Sequence, residues 1–484
     1  MGLAGIFVGL GLLIWLSYRG WSVLVLAPMA ALIAALFAGE PLLAHWTQTF
    51  MTSAAGFLAQ FFPLFLLGAI FGKLMDDSGS VQTIARFMTE KLGPKRAMLA
   101  VVLAGALVTY GGVSLFVAFF VLAPMAQALF RAADIPGRLM PAAIALGTST
   151  FTMSALPGTP AIQNAIPMPF FGTTAFAAPG LGLIASAIML GFGMWWLRRA
   201  EGSARRAGES YGAVALDKHV SASEDPVVRE RATTSGSFDP AEIEHGEHGT
   251  GQPSVVVALL PLAIVVLVNL VVALVVLPRM DTDFLSEPRF GGITLANVGG
   301  VWAVLVALTV AIVVLIALNW KRLPSLRATV DAGANAAVLP VVGVASLVGF
   351  GAVVAAMPAF EAVREWVLGI GGGPLVSLAL STNILAALTG SASGGLTIAL
   401  DALGSTYMQL AATIGLDPAL MHRVAVIGAG TLDSLPHNGA VVTLLAVCGQ
   451  GHRESYFDIV MVGIVGALLA LVAVIVLGST FGSF

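Results

Sequence analysis

The sequence is poor in charge. Lys, Arg, Asp and Glu make up only 10% of its 484 residues, against about 25% in soluble domains. A chain of this length has too little polar side chain to cover a water-soluble globule, so an ordinary soluble domain is excluded. It holds a single cysteine, Cys448, which rules out a disulfide framework and a cysteine-rich metal site. Cys448 reads as a small apolar residue within a helix. Basic excess is missing too: the net charge is −3, so no nucleic-acid partner is expected. No Lys or Arg precedes the apolar run from Gly2 to Leu16, and no clear small-residue cleavage pattern marks it, so it reads as a first span and not as a secretory signal. P-loop, nucleophile-elbow and Cys/His metal spacings are absent. Gly180-Leu181-Gly182 opens an apolar span and makes a poor dinucleotide turn. The sequence predicts no enzyme, no cofactor and no metal.

What is there is hydrophobic: 58% of the residues, in runs separated by short basic or polar stretches. The runs predict an all-α polytopic membrane protein, with lipid as its solvent. Spans are expected near 3–17, 22–38, 56–74, 139–170 and 178–197, then near 254–277, 294–318, 331–357, 418–448 and 456–480. Two uncharged stretches do not fit one helix each. Ala97 to Phe130 and Trp366 to Leu400 are too long for one span of about 20 residues and too short for two plus a turn. Each has a polar, glycine-rich centre, Thr109-Tyr110-Gly111-Gly112-Val113-Ser114 and Thr389-Gly390-Ser391-Ala392-Ser393-Gly394-Gly395. Both read as re-entrant hairpins, since irregular backbone at membrane depth survives only beside protein or a wet cavity.

With both hairpins returning to their side of entry, the chain starts and ends outside. The cytoplasmic loops then hold all of the 23 Lys and Arg except Arg279, Arg289, Arg364 and Arg423, as the positive-inside rule requires. Tryptophans fall at predicted boundaries: Trp15, Trp21, Trp195, Trp196, Trp320 and Trp366. The long polar segment has no apolar periodicity and reads as a flexible cytoplasmic linker. It divides the chain into an N-terminal repeat (1–199), a linker (200–253) and a C-terminal repeat (254–484).

The two halves share an order of signals. Gly93-Pro94 opens one hairpin and Gly373-Pro374 the other. Gly111-Gly112 and Gly394-Gly395 lie at the tips. Gly147 and Gly428 follow, then Ser154-Ala155-Leu156-Pro157 and Asp433-Ser434-Leu435-Pro436. On the topology above the hairpins enter from opposite sides, so the repeats are inverted, each with a re-entrant hairpin and a broken transmembrane helix.

The breaks carry the candidate chemistry. Gly147 to Pro160 sets two prolines and a glycine within four residues, which regular helix does not accommodate; Gln163 and Asn164 follow. The partner run, Gly428 to Gly439, adds Asp433 and His437. Unwound segments expose helix N-termini, which favour an anion, and free carbonyls, which favour a cation or a proton donor. Substrate contacts are expected from Thr109, Tyr110, Gly111, Gly112, Ser114, Thr152, Ser154, Thr159, Gln163, Asn164, Ser391, Ser393, Gly394, Ser434 and Asn438, although any single hydroxyl can instead bond its own helix. An Asp at mid-membrane costs roughly 2.5–3.5 kcal/mol to insert, so Asp433 is assigned to ion coupling. His437 reads as a proton carrier or as a neutral hydrogen-bond donor to substrate. Asp401 is expected near the mouth of the second hairpin, in water. His422 and Arg423 are expected to snorkel at a span end. Lys73, Asp76 and Asp77 read as a cytoplasmic helix end.

With these residues the chain resembles the gluconate permease family, within the wider ion-transporter superfamily. The likeness rests on Phe62-Pro63-Leu64-Phe65-Leu66-Leu67-Gly68, the Tyr110-Gly111-Gly112 tip, Ala155-Leu156-Pro157-Gly158-Thr159-Pro160 and Asp433-Ser434-Leu435-Pro436-His437-Asn438-Gly439. It implies a proton-coupled symporter of small carboxylates such as gluconate or 3-hydroxybutyrate, in a bacterial-type inner membrane, with sodium coupling as the alternative. It also implies paired hairpins in inverted repeats and a homodimer working by elevator-like movement.

Overall fold

The fold is given by a computed structural model that describes residues 2–19, 21–211, 249, 251–436 and 438–484. Among the described residues there are helices and no strands. In chain order the first half contains α1 (Gly2–Tyr18), α2 (Val23–Ala38), α3 (Leu42–Asp77), α4 (Ser80–Leu92), α5 (Ala97–Tyr110) and α6 (Leu115–Ala132). The short pieces α7 (Met140–Thr148), α8 (Phe151–Ser154), α9 (Ile162–Ala165) and α10 (Pro167–Phe171) follow, then α11 (Pro179–Arg206). The second half runs α12 (Val255–Arg279), α13 (Leu295–Arg322), α14 (Leu326–Ala356), α15 (Phe360–Leu368), α16 (Pro374–Thr389) and α17 (Ala392–Ile414). It ends with α18 (Pro418–Thr431), α19 (Gly439–Val447) and α20 (His452–Phe481).

Seven of these, α3, α6, α11, α12, α13, α14 and α20, are long and apolar enough to cross a membrane among the described residues. Their outward faces are apolar: Leu267, Val271, Val313, Val472 and Val476 are exposed. Trp15, Trp21, Trp195, Trp320 and Trp366 are exposed as expected of boundary residues, whereas Trp196 turns inward to donate to Asp458 at 2.9 Å.

Each half presents two apolar helices, a long helix, a short one, a helical hairpin, an interrupted helix and a final long helix. The packing follows the same pattern. The long helices α3 and α14 lie against each other, each with an internal proline, Pro63 and Pro340. The first hairpin arm packs on the first piece of the interrupted helix in both halves, α5 on α7 and α16 on α18. The second pieces cross over: α19 packs on α6, and α10 packs on α17.

Elements end where the local chemistry ends them. Ser114 and Ser391 cap the second hairpin arms, accepting from Phe116 N at 3.3 Å and Gly394 N at 3.2 Å. Asn438 caps α19 by accepting from Ala440 N at 2.7 Å. Such caps satisfy amides that no helical carbonyl reaches. Gly390 ends α16 at φ +63°, a left-handed conformation that strains any residue with a Cβ.

Several boundaries differ from the sequence reading. The span expected near 56–74 is part of α3, which begins at Leu42. The second hairpin is not Trp366 to Leu400: its arms are α16 and α17, and α17 runs on to Ile414. Asp401 therefore stands on the exposed face of a continuous helix and not at a mouth. The run ends late because Asp401, Ser405 and Gln409 form one outward polar stripe at four-residue spacing. Helix α11 passes position 200 to reach Arg206, helped by the Glu201–Arg205 pair at 2.6 Å. Most of the segment expected as a linker lies outside the described residues.

Candidate functional site

A cavity of about 250 Å³ lies where both hairpin tips, both helix interruptions and the two long central helices meet. One wall is built from α3 and α14 through Leu64, Gly68, Gly72, Pro340 and Gly343. Small residues there let the tips approach: a Cβ on Gly72 would stand 3.6 Å from the Ser114 amide nitrogen. The facing wall is made of helix beginnings. Ser114, Leu115 and Phe116 start α6; Ala392 and Ser393 start α17; Asn438 and Ala440 start α19; Ala161 to Gln163 begin α9. Side chains take the Phe116, Ala392, Gly394 and Ala440 amides, but helix N-termini still carry partial positive charge, so this wall suits an anion.

Asp433 lines the same cavity. Its Oδ1 accepts from Ala392 N at 2.8 Å and from Asn438 Nδ2 at 2.7 Å. The Asn438 amide also donates to Gly390 O at 2.8 Å. One carboxylate and one carboxamide thus fasten the second interruption to the second tip. Among the described residues, no Lys or Arg nitrogen pairs with Asp433 within 4.0 Å. The first half makes the corresponding join differently. Tyr110 OH donates to Pro157 O at 2.8 Å, and Gly112, at φ +101°, lets the tip lie against Pro160.

The structure sorts the expected site residues. Thr109, Gly112, Ser114, Gln163, Ser391, Ser393, Asp433 and Asn438 border the cavity. Tyr110, Gly111, Thr152, Ser154, Thr159, Asn164, Gly394 and Ser434 lie behind its wall. Gly111 meets Leu262 of α12, and Gly394 meets Leu347 of α14. Thr152 and Ser154 bond carbonyls within their own segment, at 3.1 Å to Gly147 O and 3.0 Å to Thr150 O. Thr159 accepts from Ala161 N at 3.3 Å, just before α9. Ser434 accepts through its carbonyl from Tyr456 OH at 3.1 Å. Asn164 donates to Thr159 O at 3.0 Å and Ala175 O at 3.1 Å. His437 lies outside the described residues.

Two expectations are corrected. Lys73, Asp76 and Asp77 are not a solvated helix end: their exposures are 5%, 4% and 0%, and Lys73 and Asp76 line the cavity. Lys73 Nζ lies 2.9 Å from Asp77 Oδ1 and 3.9 Å from Asp76 Oδ2. Gln82 Nε2 donates to Asp76 Oδ1 at 3.0 Å, and Thr329 Oγ1 donates to Asp77 Oδ2 at 2.7 Å. The turn after Asp77 is covered from above, because Gly249 N donates to Asp77 O at 2.8 Å and Thr83 Oγ1 donates to Pro253 O at 3.2 Å. The sequence signal was a Lys with acids three and four residues on, and helix-end logic took it for surface.

Nor do His422 and Arg423 snorkel; both are fully buried. The Arg423 guanidinium donates to Ala177 O at 2.7 and 3.2 Å, and to Ser154 O and Asn164 Oδ1 at 3.4 Å each. The first interruption leaves carbonyls without helical donors, and the arginine fork supplies them. The His422 ring lies 3.2 Å from Asn164 Oδ1 and 2.6 Å from Thr173 Oγ1.

A polytopic helical protein with a cavity enclosed between paired hairpin tips and interrupted helices has the build of a membrane transporter. Comparison with known proteins makes the assignment finer. The GntP family permease profile matches residues 1–175. The chain is 39% identical over 483 residues, 98% of each protein, to the uncharacterized transporter YxjC of Bacillus subtilis (strain 168). It is 32% identical over 165 residues to the high-affinity gluconate transporter of Escherichia coli (strain K12), covering 33% of this chain and 35% of that one. This chain belongs to the GntP permease family. It is a transporter and not an enzyme.

Proposed function

We propose that this protein carries small hydroxycarboxylates, such as gluconate or 3-hydroxybutyrate, across the bacterial inner membrane together with protons. The observation that carries the reading is the set of helix beginnings facing one cavity beside Asp433. The helix-start dipoles favour a carboxylate, and the hydroxyls of Ser114, Ser391 and Ser393 supply donors for it and acceptors for its hydroxyl groups. An ionised Asp433 would repel the same carboxylate. A proton on Asp433 removes that repulsion, so proton and substrate each raise the other's affinity. The two tips and interruptions serve as the moving parts of inverted repeats, with both chain ends outside. The family likeness adds a homodimer.

Purified protein in liposomes tests the reading with labelled gluconate and 3-hydroxybutyrate under an imposed pH gradient. An inwardly directed proton gradient, with the exterior more acidic, is expected to drive accumulation, and Asp433→Asn to lower gradient-driven uptake at least tenfold. Undiminished gradient-driven uptake in Asp433→Asn overturns the coupling role. Replacing sodium with choline at fixed pH is expected to leave uptake intact; its loss would assign coupling to sodium.

A further inference from the structure

We infer that Gln163 is the specificity-determining residue of this cavity. Its carboxamide reads a single hydroxyl on a short aliphatic acid, so the preferred substrate is a monohydroxylated acid of the 3-hydroxybutyrate type and not a sugar acid such as gluconate. The inference rests on the carboxylate transport proposed above and chooses between the substrates named there.

Gln163 stands in α9, on the first interruption, and lines the cavity. Its Oε1 is enclosed and has no hydrogen-bond partner among the described residues. Enclosed polar atoms are paired in the large majority of cases, because their water has been removed and only a new partner offsets the loss. The next residue shows the contrast. Asn164 donates to Thr159 O and Ala175 O and accepts from Arg423 Nη1, so it is consumed in holding the interruption together. The backbone that carries Gln163 is thereby fixed, and less ordering is needed when a ligand meets its amide.

The other polar groups of the lining are mostly occupied. Thr109 Oγ1 donates to Gly105 O at 2.8 Å. The Asn438 amide donates to Gly390 O and Asp433, and its oxygen accepts from Ala440 N. Lys73 and Asp76 are bound within the buried group at the end of α3. What remains is the Ser114 hydroxyl at the first tip, the Ser391 and Ser393 hydroxyls, 3.2 Å apart at the second, and Gln163. The serines lie at helix beginnings, where a carboxylate is favoured. Gln163 is left for a neutral polar group of the substrate, and a hydroxyl can donate to Oε1 where an alkyl carbon cannot.

Around these groups the surface is apolar, with Leu64, Phe65, Val113, Met153, Ile162 and Leu347 among its side chains. A short aliphatic chain matches that surface. Gluconate bears a hydroxyl on every carbon beyond its carboxylate. Most of these would face hydrocarbon with no partner, and each buried hydroxyl left unpaired weakens binding.

Liposomes holding the purified protein and loaded with unlabelled 3-hydroxybutyrate, with no gradient imposed, test this by exchange for labelled 3-hydroxybutyrate. In wild type, external unlabelled 3-hydroxybutyrate is expected to inhibit at a concentration roughly tenfold or more below that of butyrate or gluconate, the effect of one hydrogen bond made or of buried hydroxyls left unpaired. In Gln163→Met, which keeps the length of the side chain without its amide, the gap between 3-hydroxybutyrate and butyrate is expected to close while butyrate inhibits as in wild type. A structural role would weaken both acids alike, and that result in a variant with the wild-type melting temperature overturns the assignment. So does a Gln163→Met protein that keeps the wild-type gap. If Gln163→Met does not fold, Gln163→Asn, which withdraws the amide by one carbon, is expected to narrow the gap, and an unchanged gap there overturns the role. Wild-type exchange inhibited more strongly by gluconate than by 3-hydroxybutyrate overturns the substrate class and leaves the carboxylate symport standing. Failure of every carboxylate to exchange removes the symport reading itself.

Discussion

Arg423 is a fully buried cation whose hydrogen bonds go to neutral oxygens: Ala177 O, Ser154 O and Asn164 Oδ1. Its role is to satisfy an unwound segment that would otherwise leave carbonyls bare at membrane depth. Leucine in its place would insert more easily yet strand those acceptors, at about 1–3 kcal/mol for each one left unsatisfied. Arg423→Leu is therefore expected to lower the apparent melting temperature in detergent by several degrees despite its greater hydrophobicity. Arg423→Lys is expected to recover only part of the loss, since one ammonium cannot span carbonyls reached by separate guanidinium nitrogens. Equal stability of wild type and Arg423→Leu in a fluorescence-monitored thermal assay would show that the first interruption is held by something else. Nothing near Arg423 in the chain announced this. Its acceptors lie some 250 positions upstream, and a basic residue at the start of an apolar run otherwise signals an interface.

At the scale of elements, the glycines matched between the halves explain how the interrupted helices meet the hairpins. A Cβ on Gly147 would stand 2.4 Å from Val102 O on the first arm of hairpin one. A Cβ on Gly428 would stand 2.4 Å from Thr382 Oγ1 on the first arm of hairpin two. The contact is the same, but one neighbour is backbone and the other a hydroxyl that can rotate. Gly147→Ala is expected to destabilise by about 1–3 kcal/mol, and Gly428→Ala by less, as read from the same thermal assay. The reverse order would mean that the two interruptions are not packed alike. These glycines, the tip sequences and the prolines were legible in the sequence because each marks a local backbone requirement. Asp433 and Asn438 were legible as polar groups at a break. The cavity-lining position of Lys73 and Asp76 was not, because it depends on α14, α4, Gly249 and Pro253 packing over the end of α3. That Tyr110, Thr152 and Asn164 lie behind the cavity wall, bonded to carbonyls, was hidden for the converse reason. Polarity is visible in a sequence, whereas the carbonyl that consumes it is not.

On the scale of the whole molecule, the reading depends on how many times each half crosses the membrane. With the hairpins entering and leaving on one side, each half crosses an odd number of times: two leading helices, the long helix, the interrupted helix and the final helix. An odd count would turn the second half upside down relative to the first and bring the two tips to one cavity from opposite faces. The swapped contacts of α19 on α6 and α10 on α17 are what a two-fold relation within the membrane plane would produce. The mouths of the hairpins make this testable without touching the cavity. Lys95, before the first hairpin, is exposed, and Gly371, before the second, has open space around its Cβ position. In a Cys448→Ser background, Lys95→Cys is expected to react with an impermeant maleimide only from the cytoplasmic side. Gly371→Cys is expected to react only from outside. Labelling of both from one side would make at least one hairpin a full crossing. The helix beginnings of α6 and α17 would then belong to parallel, not opposed, halves, and alternate opening of a shared cavity would lose its structural basis.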